Sequence, residues 1–192
     1  MHQGRSQSGF TLVELLVSIA IFTVITTVAV FNHAQFNGSV LLTNLAYEVA
    51  LSIRQAQYYG ISVKQNSSQT FDSGYGVDFN TAAATSYSIF EDKTGGSAKI
   101  YDGSDVVVKA YSIAKGNKIS RICVDGDCTK NVVDISFIRP EPDAFITANS
   151  ATSPYYGKAE ICMQAPQGLK RKITVESTGQ ISVGTDDSGV CN

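Results

Sequence analysis

Histidine is almost missing from this 192-residue chain: His2 and His33 are the only two. The long stretch after His33 therefore cannot assemble Ser-His-Asp or Cys-His chemistry, and no GxSxG or phosphate-binding glycine loop stands out, so no catalysis is expected. Proline is absent before Pro140, so no proline kink is expected in any helix of the first half. Cysteine is also absent from that half; all four, Cys123, Cys128, Cys162 and Cys191, follow it. Charge is scarce at 17% of residues, and between Phe10 and Phe31 the single charged residue is Glu14.

The net charge is -2, and removing residues 1–9, which hold Arg5 and no acid, would leave 14 basic against 17 acidic residues. That balance gives no global attraction to nucleic acid.

What the chain does have is FTLVELLVSIAIFTVITTVAVF, residues 10–31. As a helix it would be about 33 Å long, enough to span a bilayer. Its many β-branched residues favour strands in water, but in lipid a lone segment must satisfy its own backbone, which requires a helix. A cleavable secretory signal has a shorter apolar core with small residues after it. Here the punctuation, Gly9, comes before the run, and the preceding MHQGRSQS is polar, with Arg5 favouring a cytoplasmic leader.

Glu14 is the anomaly, since a carboxylate in a spanning helix costs roughly 2.5–3.5 kcal/mol and calls for a partner. Cleavage between Gly9 and Phe10 would create a cationic α-amine one helical turn from Glu14, and in a packed assembly one subunit's Glu14 could neutralise a neighbour's amine. The plainer alternative is a signal anchor whose Glu14 snorkels to the headgroups, which leaves the spacing of Gly9, Phe10 and Glu14 unexplained.

GFTLVELL resembles the class III signal of type IV pilins and type II secretion pseudopilins. The resemblance implies cleavage by a membrane prepilin peptidase after Gly9, N-methylation of Phe10, and assembly of helices into a filament core with Glu14 as the assembly residue. Many major pilins carry a proline near the end of the apolar run, where this chain has Val30, Phe31 and Asn32; Asn37 and Gly38 could loosen the helix locally.

Beyond Gly38, the apolar spacing of Val40, Leu41, Leu45, Val49, Ile53 and Ala56 predicts an amphipathic helix whose stripe packs on a sheet. Tyr58, Tyr59 and Gly60 are expected to end it, with Gly60 as a left-handed cap. Residues 10 to about 59 thus read as one helix of about 75 Å if continuous. From Tyr75, the runs YGVDF, YSIF, DVVVKAYSI, KISRICV, VVDISFI, AEICMQ, KRKITVES and QISV predict antiparallel strands, with Ile173, Val175, Ile181 and Val183 on apolar faces.

The expected organisation is a leader (1–9), a transmembrane helix (10–31), its amphipathic continuation (32–60) and an extracytoplasmic β-rich domain (61–192). The expected fold is α+β and pilin-like, one long N-terminal helix packed on an antiparallel sheet or sandwich. GYGVDF and ITVESTGQISVG resemble landmarks of the GspH/FimT group of minor pseudopilins.

Cys123 and Cys128 bracket an Asp-Gly turn pair and could meet across a tight loop, leaving Cys162 and Cys191 to pair, although sequence permits two other connectivities. Four cysteines suit an oxidising compartment. The C-x4-C spacing without a second close pair argues against zinc. Asp125 with Asp127, and Asp186 with Asp187, could be read as calcium loops, but no EF-hand spacing is present and solvated turns account for them. No cofactor or metal is expected.

The function expected is structural: a minor pilin or pseudopilin of the inner membrane, partnered by prepilin peptidase, other pilins, membrane lipid and secreted cargo. A second reading is a FimT-like subunit binding DNA through Lys170, Arg171 and Lys172. Against it stand the acidic mature chain, a cluster that an ordinary solvated strand face also produces, and Gln180 where FimT-like sequences commonly carry arginine.

Overall fold

An apolar run passes into an amphipathic stretch with no proline between them, and α1 extends over Leu12–Ile61. The computed structural model describes residues 9–62, 65, 67, 69, 73–93, 99–149, 155–186 and 189–191, with no side chain from 31 to 36. Leader residues 1–8, the His33 side chain and Asp187 lie outside the described residues. The chain divides into two units, Met1–Asn37 and Gly38–Asn192.

Within the second unit, the helix buries Leu42, Ala46, Val49, Ala50, Ile53 and Ala56. Leu45 is half-buried, while Val40 and Leu41, expected on the stripe, are 42% and 37% exposed. Val49, Ile53 and Ala56 are buried as expected, while at the start of the stretch Leu42 and Ala46 take the buried face in place of Val40 and Leu41. Gly60 also corrects the reading. It is helical, not a cap, and a Cβ there would lie 2.3 Å from the carbonyl oxygen of Phe137. Only a glycine lets the backbone come so near. Gly38 is helical too, with the Gln167 side chain against it.

Among the described residues ten strands follow: β1 (Gly74–Asn80), β2 (Ser86–Asp92), β3 (Val106–Ser112), β4 (Lys118–Val124), β5 (Asp127–Lys130), β6 (Val132–Phe137), β7 (Ala144–Ala148), β8 (Lys158–Gln164), β9 (Lys170–Glu176) and β10 (Ile181–Gly184). A 3-10 turn, Thr81–Ala83, lies between β1 and β2. They form two five-stranded antiparallel sheets, ordered β3-β2-β1-β6-β7 and β10-β9-β8-β4-β5. The α+β class expected of a pilin-like chain is the observed one. Two strands were not foreseen: β5, DCTK, has no apolar alternation, and β7, AFITA, is a five-residue run between proline-rich and serine-rich segments.

One core joins the helix to both sheets, drawing Val77, Phe79 and Ile135 from the first and Ile122, Ile161 and Ile173 from the second. Tyr87 stacks on Tyr111 at 4.8 Å, and its hydroxyl meets Ser52 Oγ of the helix at 3.0 Å. Burial pushes the Tyr87 phenol up to about 12. Gln57 fixes the end of the helix by donating to the carbonyls of Pro142 (3.0 Å) and Gly179 (3.1 Å). Gly179, in the β9–β10 turn, has φ +79° and no room for a Cβ beside the Pro142 carbonyl, so the STGQ segment is shaped by both requirements.

Candidate functional site

Gly9 precedes the helix, and a Cβ added to it would meet nothing within 4 Å. The described fold therefore places no steric demand for glycine there. Phe10 is 84% exposed. Thr11 and Glu14 interact locally. The Glu14 backbone N–H donates to Thr11 Oγ1 (3.3 Å), and that hydroxyl donates to Glu14 Oε2 (3.4 Å). This T-x-x-E pairing satisfies a free N–H of the first turn and sets an acid near the positive end of the helix. Sequence reasoning sought the partner of Glu14 in a neighbouring subunit's amine; the local signal it did not use is Thr11 three positions earlier.

The hydroxyls deeper in the run are satisfied within the helix. Ser18, Thr23, Thr26 and Thr27 each donate to the carbonyl four residues back, at 2.7, 2.8, 2.7 and 2.7 Å. Such internal pairing suits a helix in lipid, where no water replaces a missing bond. Leu12–Val30 is long and apolar enough to cross a membrane, and none of it is buried within the chain.

The cysteines pair as Cys123–Cys128 and Cys162–Cys191. Between the first two, Asp125 (φ +48°) and Gly126 (φ +86°) both take the left-handed conformation of a tight hairpin turn, which Asp-Gly tolerates. The second bond ties the C-terminal tail to β8.

The basic trio sits together on β9, but each member is engaged. Arg171 donates to Thr43 Oγ1 (3.1 Å) and Ser39 Oγ (3.3 Å) of the helix. Lys170 donates to the Cys191 carbonyl (2.7 Å). Lys172 pairs at 2.9 Å with Glu160, a carboxylate 5% exposed. The acidic loop residues are likewise occupied: Asp125 accepts from the Gly157 N–H (2.9 Å), and Asp186 from the Cys191 N–H (3.0 Å). Hydrogen bonds from Thr129 hold the Asp127 carboxyl down at about 2. Among the described residues no three His, Cys, Asp or Glu side chains are grouped to hold a metal.

Against known families, residues 4–30 match the model described as the prokaryotic N-terminal methylation motif. The match takes in the polar residues from Gly4 and the apolar run to Val30, and with the apolar helix it supports a type IV pilin-like class. It indicates a precursor of the pilin or pseudopilin type, and a structural subunit in preference to an enzyme. Motif and apolar helix together fit a membrane-anchored protein. Neither the comparison with curated proteins nor that with solved structures found a match.

Proposed function

We propose that this chain is a minor pilin or pseudopilin, cut by prepilin peptidase between Gly9 and Phe10, N-methylated on Phe10, held in the inner membrane by Leu12–Val30 with its β-rich domain outside, and then assembled with other pilins into a filament that serves protein secretion. The observation that carries this reading is the match of residues 4–30 to the methylation motif, a range that includes Gly9, Phe10 and Glu14. Two structural facts support it. Gly9 is a glycine that the described fold does not need, which suits selection by a peptidase. The apolar residues of Leu12–Val30 find no cover within the chain, which suits lipid and then neighbouring helices.

In this scheme Glu14 has two successive roles. In the free subunit its carboxylate accepts from the Thr11 hydroxyl, to which its own N–H donates. In the filament it meets the new amine of a neighbouring subunit, a charge pair strengthened by the low dielectric around packed helices. The GspH/FimT subtype rests on the GYGVDF and ITVESTGQISVG resemblances. The engagement of Lys170, Arg171 and Lys172 within the domain gives no support to the DNA reading.

Mass spectrometry of the chain expressed beside an active prepilin peptidase tests the proposal. Wild type should begin at methylated Phe10, Gly9→Leu should retain the leader, and Glu14→Val should be processed yet fail to enter filaments. An unprocessed wild-type N-terminus in those cells would refute it.

A further inference from the structure

The face of the first sheet that points away from the core carries carboxylates. Side chains alternate along a strand, so Val77 and Phe79 on β1, and Val133 and Ile135 on β6, enter the core, while Asp78 and Asp134 point the other way. The β1–β6 register sets Asp78 directly opposite Asp134. Asp134 has no exposed surface, and neither of its carboxylate oxygens has a hydrogen bond of good geometry. The Asp78 carboxyl and the backbone N–H of Tyr101 act on it.

The segment from Lys99 to Asp105 covers this face. Ser136 and Thr147 donate their hydroxyls to the Lys99 carbonyl (2.9 and 3.4 Å), and the Lys99 N–H donates to Asp92 (2.8 Å). Ile100 is buried, and the Tyr101 ring lies 5.3 Å from that of Phe90. Asp105 accepts from the N–H groups of Lys93 (3.1 Å) and Asp102 (2.8 Å).

Two adjacent carboxyls, one fully buried and one half-buried, cannot both hold a charge cheaply. Burial first, then the charge of Asp78, pushes Asp134 up to about 8, and burial raises Asp78 as well. Among the described residues, the charged groups that act on Asp134 are Asp78 on β1 and Asp105 on the covering segment; Asp105 in turn feels Asp102 and Glu91, Asp92 on β2 feels Asp105, Asp102 and Lys99, and β7 offers the neutral Thr147 opposite Asp134. The cation, Lys99, places its ammonium over the rings of Phe145 (3.8 Å) and Tyr155 (4.8 Å).

We propose that Asp78 and Asp134 share one proton at neutral pH and that this proton is the catch holding segment 99–105 on the sheet: when it leaves, two like charges face each other beneath the segment and the segment lifts. The direction follows from the upward shift, because a proton retained by the folded chain adds stability at low pH that is lost as pH rises through the folded-state value. Burial also raises Asp92 and Asp105, so they act in the same direction.

Hydrogen exchange of the full chain in detergent, corrected for intrinsic rates, tests this. Between about pH 6.5 and about pH 9.5, protection of segment 99–105 in the wild type should fall at least about tenfold, while β8 and β9 stay protected. Asp134→Asn, which keeps the shape and cannot ionise, should remove that dependence, and Asp78→Asn serves the same purpose if Asp134→Asn does not fold. Equal pH dependence in wild type and the amide variant would overturn the proposal, as would a wild type whose protection does not change. So would protection that follows added calcium instead of pH, since a cation would then occupy the place of the proton.

Discussion

Two stretches of the same helix contrast sharply. Over Leu12–Val30 every large apolar side chain is exposed, Phe22 by 72% and Leu15 by 57%. From Leu42 to Ala56 the helix instead buries one face completely and exposes Tyr47 and Leu51 on the other. The first stretch is apolar on all sides and has no preferred face to offer a sheet. The second pairs a narrow stripe of small and aliphatic residues with a polar remainder, so one orientation wins. Apolar content alone does not decide where a helix packs; its angular distribution, and the size of the side chains at the contact, does.

The largest expected effect separates two glycines. Gly60→Val would drive a side chain into the Phe137 backbone, where even a Cβ stands 2.3 Å from the carbonyl oxygen, and should cost more than about 3 kcal/mol or prevent folding. Gly9→Val should leave the urea midpoint of the domain unchanged, since nothing lies near it. Denaturation followed by tyrosine fluorescence distinguishes them. Equal effects would mean that the leader junction is part of the domain.

Next comes the tail. Replacing Cys162 and Cys191 together by Ala opens a loop with a sequence separation of 29 and should lower stability by about 3–4 kcal/mol in the chain-entropy model. The Cys123–Cys128 bond, separation 5, closes a much shorter loop and should contribute less. The reverse ranking, measured under matched oxidising conditions, would show that the hairpin and not the tail limits the fold.

The basic trio gives a smaller and more local effect. Lys172→Met removes the closer partner of Glu160, leaving Lys158 at 3.7 Å, and should cost about 1–2 kcal/mol. The same variant should not alter DNA mobility at low salt. Loss of a wild-type DNA shift with stability unchanged would revive the nucleic-acid reading.

Much of this was legible beforehand. The apolar run and its methylation motif over residues 4–30 were plain, and the alternation in KRKITVES marked Ile173 and Val175 as core correctly. The Cys123–Cys128 pairing was readable because Asp-Gly is among the few pairs that accept two positive φ angles. What was hidden depends on distant partners. Gly60 faces Phe137, 77 residues away, and Gly179 faces Pro142; a sequence shows only that a glycine is present. Asp134, lying inside an apolar run, gives no local sign that Asp78 stands opposite, because register is fixed by pairing across the sheet.

The smallest effect is the most direct test of the contrast between the two stretches. Ile53→Ala empties a fully buried position and should cost about 2–5 kcal/mol. Ile21→Ala makes the same chemical change at a side chain 55% exposed, and should move the domain's thermal midpoint by less than about 2 °C. Its consequence belongs elsewhere, in the lost apolar area offered to lipid or to neighbouring helices. Midpoints of both variants in one detergent decide the matter. If Ile21→Ala destabilised the domain as Ile53→Ala does, Leu12–Val30 would be folding with the domain, and its exposure could not be assigned to a membrane or a filament.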